Sequence, residues 1–452
     1  MKGYFLPQIS AEETSREING VPLEFPALSP FQIAQISDGL MKAHEKLVGH
    51  SILKIVDWID MAARRWLDRK DPIRQAAEST LPLLTGASKE MVNVGLDDLF
   101  KDLTRPVLIQ LLEEELGDPT LLDHFRPKLK GSGFTRAFGP RLISHILPGN
   151  VGGTSVMSLA CGLLAKSSNL AKVSTEALLL PVLFAQSLYE VAPDLACNLA
   201  VMTWESHAVE ITQTAFRRAD LVIVYGSDET IEKIREKVPP TTRAIYHGHK
   251  LSLGIIAREA IHSRLSEQAA MDIALYDQRG CLSPHLYYVE EGGAASPIEF
   301  AQWLAQSLYV ASYQLPKGPT SPAEAAQIQQ LRGALPLKGG RVFPSPKGLD
   351  WTVLYDPDPS FSISPLARTI WIKPVQDLAQ IPTYLEPVRS YLQAAGMAVP
   401  PERQPQIVPS LAQMGVNRIC PIGKMQKPPM TWHHDGRFRL LNILRFVDWE
   451  NP

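Results

Sequence analysis

One cysteine of this sequence lies in a setting that could support nucleophilic chemistry. Cys281 follows Gly280 in the segment Tyr-Asp-Gln-Arg-Gly-Cys-Leu-Ser-Pro of residues 276–284, between an expected helix and an expected strand. A thiol in such a turn, beside Arg279, has a cationic neighbour and local backbone donors that favour the thiolate. The sequence therefore makes Cys281 a candidate nucleophile, and an unreactive half-buried thiol is the alternative.

A second candidate site is the turn of residues 147–153, Leu-Pro-Gly-Asn-Val-Gly-Gly. It precedes a predicted helix, whose first backbone N–H groups could bind an anion or an oxyanion beyond the end of the preceding strand. Asn150 adds a side-chain amide donor at the same place, although a plain strand-to-helix turn is the alternative. No G-x-G-x-x-G or G-x-x-x-x-G-K-[ST] motif occurs, so the usual dinucleotide fingerprint and the P-loop are both excluded.

Histidines fall in two further turns. His247 and His249 lie in one of them, and the adjacent pair His433 and His434 lies near the end of the chain. Without paired carboxylates or cysteines close in sequence, such turns give little support to a metal, and we predict no metal site. Hydrogen bonding or acid-base work is the function that we expect from them.

The composition is that of an ordinary globular protein. Of 452 residues, 45% are hydrophobic and 20% charged, which argues against a disordered, collagen-like or coiled-coil chain. A net charge of -2 provides no global attraction to nucleic acid or to an anionic membrane. The four cysteines form no C-x-x-C pair, which favours a reducing compartment. Since we find neither a signal sequence nor an apolar run of about 20 residues, we expect a cytoplasmic protein without a membrane span.

Hydrophobic periodicity predicts the elements that position these residues. Residues 30–120 are helical in pattern, and Ser29 with Pro30 marks a helix start. From about residue 134, short apolar runs alternate with helices, which is typical of βαβ units on a parallel sheet. The predicted strands cover residues 142–147, 170–173, 199–203, 221–225 and 242–246, and the helices 154–164, 176–191 and 228–237. An open doubly wound α/β sheet of this kind binds ligands beyond the carboxyl ends of its strands.

A second α/β series follows the first. Its predicted elements are a helix over 263–276, a strand over 286–290, a helix over 298–314 and strands over 351–355 and 369–372. The apolar stretch of residues 440–446 near the end of the chain is predicted as the last strand. The sequence thus contains two α/β units, with Cys281 at the start of a strand of the second one.

Taken in order, these features resemble the aldehyde dehydrogenase superfamily. The order is a strand, the turn Pro148-Gly149-Asn150, a helix, a strand, Lys172, then Gly226-Ser227, then His249-Lys250 and the segment 277–281. Within the superfamily, the sequence is most similar to the acyl-CoA reductase of bacterial bioluminescence fatty-acid reductase systems (LuxC-like). The turn of residues 277–284 and the tail of residues 415–436 carry that likeness, which covers about residues 130–450.

The resemblance implies an α/β, aldehyde-dehydrogenase-like fold. A doubly wound cofactor-binding domain would be joined to an α/β catalytic domain and to a short C-terminal oligomerisation strand. We assign residues 1–255 to the helical N-terminal part and the NADP-binding domain, 256–430 to the catalytic domain and 431–452 to the bridging tail. In the superfamily the last strand pairs across a subunit interface, so we expect a homo-oligomer, with residues 440–446 as that strand.

The resemblance also implies roles for individual residues. Cys281 would be the nucleophile that takes an acyl group from a thioester, and Asn150 would hold the oxyanion together with the backbone N–H of the cysteine. Lys172 would bind the adenosine ribose of the cofactor. Gly226 and Ser227 would lie along its pyrophosphate at the start of a helix.

One departure from the superfamily pattern bears on the cofactor. NAD-dependent members usually carry a glutamate three residues after the lysine, where this sequence has Thr175. A neutral residue leaves room for a 2′-phosphate beside Lys172, which favours NADPH over NADH, and Glu176 at the next position limits that preference.

A second departure bears on the reaction. Hydrolytic members have a glutamate base four residues before the lysine that aligns with Lys250, and here that position is Tyr246. Without the carboxylate, an acyl-enzyme should survive to accept hydride. We therefore predict NADPH-dependent reduction of a fatty acyl thioester, with a long chain as the expected acyl group, to the fatty aldehyde. His249 and His434 are the candidate proton donors, and bonding of strand-end carbonyls is their alternative role.

Two other functions stay open. One is an aldehyde dehydrogenase that works mainly in the oxidising or acylating direction. The other is an acyl-carrying subunit of a fatty-acid reductase complex that has lost hydride chemistry. The expected partner is acyl-CoA, an acyl carrier protein or an acylated synthetase, and no nucleic acid.

Overall fold

The computed structural model describes residues 1–128, 130, 132–149 and 152–450. These residues form a two-stranded hairpin with a bundle of helices, two large α/β sheets and a small three-stranded sheet. The α/β class predicted from the sequence is confirmed. No helix in the described part of the chain has the length and apolarity that crossing a membrane requires.

The N-terminal part is a β-hairpin followed by five helices. Its elements are β1 (Glu13–Ile18), β2 (Val21–Pro26), α1 (Pro30–Leu47), α2 (Ile52–Leu67), α3 (Pro72–Thr85), α4 (Lys89–Lys101) and α5 (Arg105–Leu116). Helix α1 begins as predicted, because Ser29 and Gln32 form a capping box and Pro30 occupies the first turn. The buried faces of these helices share one hydrophobic core with the first large sheet, so the bundle packs directly on that sheet.

The first large sheet follows two short strands, β3 (Arg126–Pro127) and β4 (Phe134–Phe138). Its elements are β5 (Leu142–Leu147), α6 (Gly152–Leu164), β6 (Ser168–Val173), α7 (Leu179–Val191), α8 (Pro193–Ala196), β7 (Leu199–Met202), α9 (Val209–Arg218), β8 (Leu221–Tyr225), α10 (Asp228–Arg235) and β9 (Arg243–His247). The strands are parallel, in the order β7-β6-β5-β8-β9. This is the predicted doubly wound sheet.

The strand order reverses between β5 and β8, because β6 and β7 lie on one side of β5 while β8 and β9 lie on the other. Such a switch point opens a crevice beyond the carboxyl ends of the strands. Pro148 and Gly149 follow β5 at this edge, and Gly226 and Ser227 follow β8. Two of the predicted site segments thus meet at one crevice.

The second large sheet has seven strands. Its elements are β10 (Leu251–Ile256), α11 (Ser263–Ala274), β11 (Pro284–Glu290), α12 (Pro297–Gln314), α13 (Pro322–Ala334), β12 (Arg341–Pro344), β13 (Thr352–Tyr355), β14 (Thr369–Val375), α14 (Ile381–Leu385), β15 (Leu392–Ala398), α15 (Gln404–Gln413) and β16 (Arg418–Pro421). The order is β12-β13-β14-β11-β10-β15-β16, and only the edge pair β12-β13 is antiparallel among the described pairs. Separate apolar cores cover its two faces.

A short connection at residues 248–250 joins the two sheets and orients them. The carboxyl end of β9 lies just before this connection, and the amino end of β10 lies just after it. Strand β10 was not predicted from the sequence. The carboxyl edge of the first sheet therefore faces the amino edge of the second. Because β10 belongs to the second sheet, the border between the sheets lies before the boundary that we predicted at residues 255 and 256.

The last strand is β17 (Arg445–Trp449), and the strand that we predicted over 440–446 was wrong in position. Leu440 and Leu444 are buried in the core of the first sheet. Backbone N–H groups of residues 439–441 donate to the carboxylate of Glu115 at 2.7 to 3.0 Å, which holds this stretch in a turn. Strand β17 pairs with β4 of the same chain in the small sheet, and its pairing across a subunit interface stays a prediction.

Candidate active site

Cys281 lies in the connection between α11 and β11, at the amino edge of the second sheet. Helix α11 ends at Ala274, two residues earlier than predicted, because the chain then turns into the left-handed region. Tyr276, Asp277 and Gln278 have φ values of 55°, 52° and 64°. Non-glycine residues in this region cost about 1–3 kcal/mol each. The loop that leads to Cys281 therefore depends on contacts that hold it in this conformation.

Buried side-chain contacts hold the loop. One carboxylate oxygen of Asp277 lies 2.9 Å from Nε and 2.7 Å from Nη2 of the fully buried Arg368. The other accepts the backbone N–H of Gly318 at 3.0 Å. The side-chain amide of Gln278 donates to two backbone carbonyls, one of them that of Pro284, at 2.8 Å each. Because partnered polar groups of this kind specify one arrangement, the loop is fixed relative to β11 and β14.

The side chain of Cys281 is open to a cavity of about 1200 Å³ between the two sheets. Its carbonyl accepts a hydrogen bond from Oγ of Ser252 on β10 at 2.8 Å. The protein around the cavity removes much of the bulk water. This desolvation, together with the negative charge of Asp435, raises the pKa of Cys281 to about 11. The backbone N–H groups of Cys281 and Leu282 oppose the rise, because they point toward the sulfur. At neutral pH the thiol therefore keeps its proton until a base or a ligand removes it.

A histidine and an aspartate from distant parts of the chain meet in the same cavity. His247 is the last residue of β9, and its Nδ1 lies 2.6 Å from a carboxylate oxygen of Asp435. Burial disfavours the charge of this carboxylate, but the hydrogen bond from His247 and the nearby His434 outweigh burial and lower the pKa of Asp435. An ionised carboxylate can only accept hydrogen bonds. Nδ1 of His247 therefore carries a proton, and in the neutral imidazole Nε2 carries the lone pair.

Two aromatic rings lie next to the imidazole of His247. Its centroid lies 4.3 Å from that of Tyr225 and 4.8 Å from that of His434, with interplanar angles of 15° and 10°. Burial lowers the pKa of His434 to about 3, so this ring is neutral at physiological pH. The predicted role of His434 as a proton donor stays a prediction.

The possibility of a metal at this cluster depends on the direction of the imidazole lone pairs. The ligand-type atoms of His247, His434 and Asp435 lie within 4.8 Å of one another. The two imidazole planes are nearly parallel, at 10° to each other. Nδ1 of His247 is also occupied by its hydrogen bond to Asp435. The hydrogen bond gives His247 and Asp435 the arrangement of a proton-transfer pair, and the absence of a metal stays a prediction.

His249, the other predicted proton donor, lines the cavity, and its ring packs against Tyr391 at a centroid distance of 6.2 Å. His247 was not among the histidines predicted as proton donors. Alternate residues of a strand point to opposite faces, and Ile245 and His247 face the cavity. Tyr246 instead packs beneath the guanidinium of Arg235. The predicted strand ended at residue 246, one residue before His247, and alternation alone does not indicate which face meets the cavity.

Residues predicted to bind the cofactor line this cavity as well. Lys172 on β6 is half-buried, and this burial lowers its pKa, while Glu205 opposes the shift. Gly226 and Ser227 follow β8, and Ser227 caps α10 by accepting the backbone N–H of Thr230 at 3.3 Å. The first turn of α10 also carries two acidic residues, which occupy the positive end of the helix dipole.

The crevice at the switch point has features that fit a dinucleotide. Oγ of Ser174 is buried, lines the cavity and has no hydrogen-bond partner in the described structure. A Cβ at Gly149 would lie 2.5 Å from that oxygen, and a Cβ at Gly226 would lie 2.9 Å from the side chain of Thr230. Neither turn has space for a side chain, so both positions require glycine.

Two further predicted site residues, Asn150 and Thr175, are not among the described residues that line the cavity. Asn150 lies outside the described residues, so its part in an oxyanion site stays a prediction. Thr175 begins a 3-10 turn after β6 and is not among the described residues that line the cavity. The carboxylate of the exposed Glu176 lies 3.6 Å from the position that a Cβ of Gly149 would take. An acidic group is therefore closer to the crevice than the sequence analysis expected.

The two sheets, and the thiol between them, define a class of protein. The fold is that of aldehyde dehydrogenases. Aldehyde dehydrogenase 21 from Physcomitrella patens aligns over 99% of this chain and 98% of its own, with a TM-score of 0.75 and 11% identity. The NADP-dependent glyceraldehyde-3-phosphate dehydrogenase from Bacillus halodurans, solved with NADP, aligns over 97% and 96%, with a TM-score of 0.73 and 15% identity.

Sequence comparison gives the family. A family model described as acyl-CoA reductase (LuxC) matches residues 47–446, and the chain therefore belongs to this family. The long-chain acyl-protein thioester reductase of Aliivibrio fischeri is 26% identical over 404 residues, which cover 88% of this chain and 82% of that protein. The enzyme of the same name from Vibrio harveyi is 23% identical, over 91% and 85%. The protein is thus an oxidoreductase that acts on acyl or aldehyde groups.

Proposed function

We propose that this protein reduces a long-chain fatty acyl thioester to the fatty aldehyde, with NADPH as reductant and an acyl-enzyme on Cys281 as intermediate. The observation that carries the proposal is the shared cavity. Cys281 from the second sheet and Lys172 and Gly226 from the first line one space. A nucleophile and a dinucleotide that occupied this space could reach the same acyl carbon.

The chain would take part in two covalent steps. First, the Cys281 sulfur attacks the carbonyl carbon of the thioester, and the donor leaves as a thiol, which forms a new thioester on the enzyme. A dinucleotide held beside Lys172 and Gly226 would supply the hydride to this carbonyl. The resulting thiohemiacetal collapses by breaking its C–S bond, which releases the aldehyde and returns the Cys281 sulfur. The N–H groups of Cys281 and Leu282 point toward this sulfur, so they lie close to where negative charge develops.

Slow hydrolysis of the acyl-enzyme is part of the proposal. Tyr246, which occupies the position of the glutamate base of hydrolytic relatives, packs beneath Arg235 instead of lining the cavity. A water that attacked the acyl-enzyme would therefore meet no carboxylate from β9. Slow hydrolysis favours the reduction, because the acyl-enzyme must persist until the hydride is transferred.

NADPH is proposed over NADH because Lys172 lines the crevice and the neutral Thr175 occupies the position of the glutamate of NAD-dependent relatives. The charges of Lys172 and Lys237 act on each other, and a 2′-phosphate between them would be attracted by both. The carboxylate of Glu205 also lies near Lys172, but it is paired with Arg16 at 3.1 Å, which offsets part of its charge. The Bacillus halodurans neighbour was solved with NADP, which is consistent with this choice.

The acyl chain would lie against the helical N-terminal part. Apolar side chains of α4, including Met91, Leu96 and Leu99, line the cavity together with Met157 of α6 and Leu282 beside the nucleophile. A wall of this kind suits a fatty chain, since each buried methylene contributes about 0.8 kcal/mol. The relatives are named acyl-protein thioester reductases, so we propose an acylated protein as the natural donor and acyl-CoA as a usable substitute.

One observation favours a second candidate. The His247–Asp435 pair in the cavity could activate water, and the enzyme would then oxidise aldehydes or hydrolyse the acyl-enzyme. Steady-state kinetics in both directions separates the two functions. Reduction predicts that NADPH is consumed with a long-chain acyl-CoA and that aldehyde accumulates. If NADP⁺ reduction with aldehyde were faster under the same conditions, or if free fatty acid were the product, the oxidising function would stand instead.

A further inference from the structure

The Cys281 thiol needs a proton acceptor that the proposed reaction does not yet supply. Transfer of an acyl group to sulfur requires the thiolate, whereas burial and the charge of Asp435 raise the pKa of Cys281 to about 11. At neutral pH only about one thiol in 10⁴ would be ionised without help. A base that takes this proton inside the cavity would remove most of the free-energy cost of forming the thiolate.

We infer that His247 is the base that takes the proton of Cys281 and that Asp435 positions it. This inference rests on the proposed acyl transfer and deepens it. The geometry that carries it is the 2.6 Å hydrogen bond between Nδ1 of His247 and the Asp435 carboxylate, in the cavity that also holds the Cys281 side chain. The bond fixes the proton on Nδ1, which leaves Nε2 as the basic nitrogen.

The fold places the His247–Asp435 pair and Cys281 at facing edges of the two sheets, along one cavity. His247 ends β9 at the carboxyl edge of the first sheet, and Cys281 precedes β11 at the amino edge of the second, which faces it. Asp435 arrives from the C-terminal tail, where it has a φ of 54° and is followed by Gly436 with a φ of 72°. This left-handed turn, with its strained non-glycine residue, is what directs the Asp435 side chain at the histidine. The tail thus contributes to the site in addition to carrying β17.

The ring stack also supports a positioned base. The rings of Tyr225 and His434 lie next to the His247 ring, at centroid distances of 4.3 and 4.8 Å, and 6.1 Å from each other, so this cluster restricts the rotation of His247. The charged and titratable groups that face His247 and Cys281 from the surrounding elements are Asp435, His434, Arg439, Lys250 and Tyr225. Of these, Asp435 is the one hydrogen-bonded to the imidazole, and its negative charge stabilises the imidazolium that forms when the ring accepts a proton.

The proton balance of the acyl-transfer step is complete with this pair. The Cys281 S–H bond breaks and its proton moves to Nε2 of His247, while the sulfur forms a bond to the acyl carbon. The C–S bond to the donor then breaks, and the leaving thiolate takes the proton from the imidazolium. The enzyme thioester and the donor thiol are the products, and no external acid, base or oxidant is consumed.

The test measures the reactivity of Cys281 with iodoacetamide between about pH 5.5 and 9.5, with peptide mapping and without cofactor or acyl donor. In the wild type we expect reaction at neutral pH. In His247→Gln we expect a rate at least about tenfold lower at neutral pH, rising steadily toward alkaline pH as the thiol ionises alone. Asp435→Asn should fall between the two, and added imidazole should partly restore a His247→Gly variant.

The matched control is His433→Gln, because His433 lies in the same tail segment and its ring packs on Phe438 at 4.6 Å. It should keep the wild-type profile. Circular dichroism and thermal unfolding identify any variant that fails to fold. If His247→Gln is one of them, imidazole rescue of His247→Gly decides whether His247 acts as the base. An unchanged profile in folded His247→Gln would overturn the inference. If the profile shifts as expected but the wild type forms no aldehyde from acyl-CoA, the base assignment stands and the proposed substrate fails.

Discussion

Asp277 and Arg368 form a buried ion pair that joins two left-handed turns, with a carboxylate oxygen 2.7 Å from Nη2. Asp277 lies in the middle of the turn of residues 276–278, and Arg368 ends a second such turn at residues 366–368, where φ is 66°, 51° and 61°. Neither turn contains a glycine, so each conformation is strained. The pair links the loop that carries Cys281 to the segment that precedes β14.

Removal of the arginine should therefore affect both stability and the position of the nucleophile. In Arg368→Met, the Asp277 carboxylate is left buried without a counter-charge, which lowers the free energy of unfolding by about 3–5 kcal/mol. The loop relaxes, and kcat falls by about 10² because the sulfur is displaced from its productive position. Cofactor affinity should be retained, since its proposed site is on the other sheet. Denaturant unfolding, kcat and cofactor titration measure the three effects.

A second buried pair provides the control for that experiment. Lys166 and Asp123 are paired at 2.5 Å with side chains 5% and 8% exposed, and neither residue lines the cavity. Lys166→Met should lower stability by a similar amount but leave kcat unchanged at a temperature where the variant is folded. Equal losses of kcat in both variants would show that the Asp277–Arg368 pair acts on stability alone.

Cofactor preference should depend on Lys172. If Lys172 contacts the 2′-phosphate, loss of a charge-assisted hydrogen bond in Lys172→Ala costs about 1.5–3 kcal/mol, and the ratio of kcat/KM for NADPH over NADH falls by about 10–100-fold. Lys233→Ala is the matched control, because Lys233 is exposed on α10 and paired with Glu229 at 2.5 Å. An unchanged ratio in Lys172→Ala would place the 2′-phosphate elsewhere.

Chain-length selectivity should change at Gly95. This residue of α4 lines the cavity, and a Cβ there would lie 3.3 Å from the ring of Tyr276, next to the nucleophile loop. Gly95→Leu would fill the space between α4 and this loop, so the optimum should move to shorter acyl chains, by about fourfold in kcat/KM per methylene excluded. A series of acyl-CoA donors from eight to sixteen carbons measures the shift. An equal loss for every donor would indicate a distorted loop instead.

Stability should vary with pH through Asp272. This carboxyl on α11 accepts the backbone N–H groups of Gly423 at 2.5 Å and Met425 at 3.0 Å, yet burial outweighs them and raises its pKa to about 7. An unfolded aspartate titrates near about 3.9. Between these values the folded chain holds a proton that the unfolded chain has released. The contribution to stability is therefore complete below about pH 4 and is lost as pH rises to about 7.

Asp272→Asn should flatten this dependence, because the amide does not titrate. We expect the variant to lose less stability than the wild type between about pH 4 and 7, by up to about 1.4 kcal/mol per pH unit. Urea unfolding at several pH values provides the measurement, and Glu402→Gln, at an exposed position, is the control. Parallel stability curves for Asp272→Asn and the wild type would contradict the expectation.

The first sheet could be predicted because its signals are local. Strands β5 and β8 begin and end where the apolar runs do, and both are followed by turn residues. Strand β10 was missed because its pattern, Leu-Ser-Leu-Gly-Ile-Ile, contains a glycine that the ring of Tyr287 overlies, a contact that only the folded sheet provides. Helix α11 was predicted too long, because its end is set by the distant Arg368 rather than by a local stop signal.

The candidate site likewise contains residues that could be predicted from the sequence and residues that only the fold brings together. Cys281 was selected because it lies in a turn beside a predicted strand, whereas Lys172, on strand β6, and Gly226 were selected from the family resemblance. The His247–Asp435 pair joins residues 188 positions apart, and no local pattern indicates that they meet. His249 and His434 were predicted as proton donors, and only the register of β9 in the folded sheet distinguishes His247.

The most direct test of the central claim is a single-turnover experiment with a labelled long-chain acyl-CoA. The enzyme is first mixed with the donor alone, and the labelled cysteine is mapped; NADPH is then added and the released product is identified. We predict label on Cys281, stable until NADPH is added and then released as aldehyde, and no label in Cys281→Ala. Label on Cys161, Cys197 or Cys420, or label on Cys281 that NADPH does not release, would contradict the account.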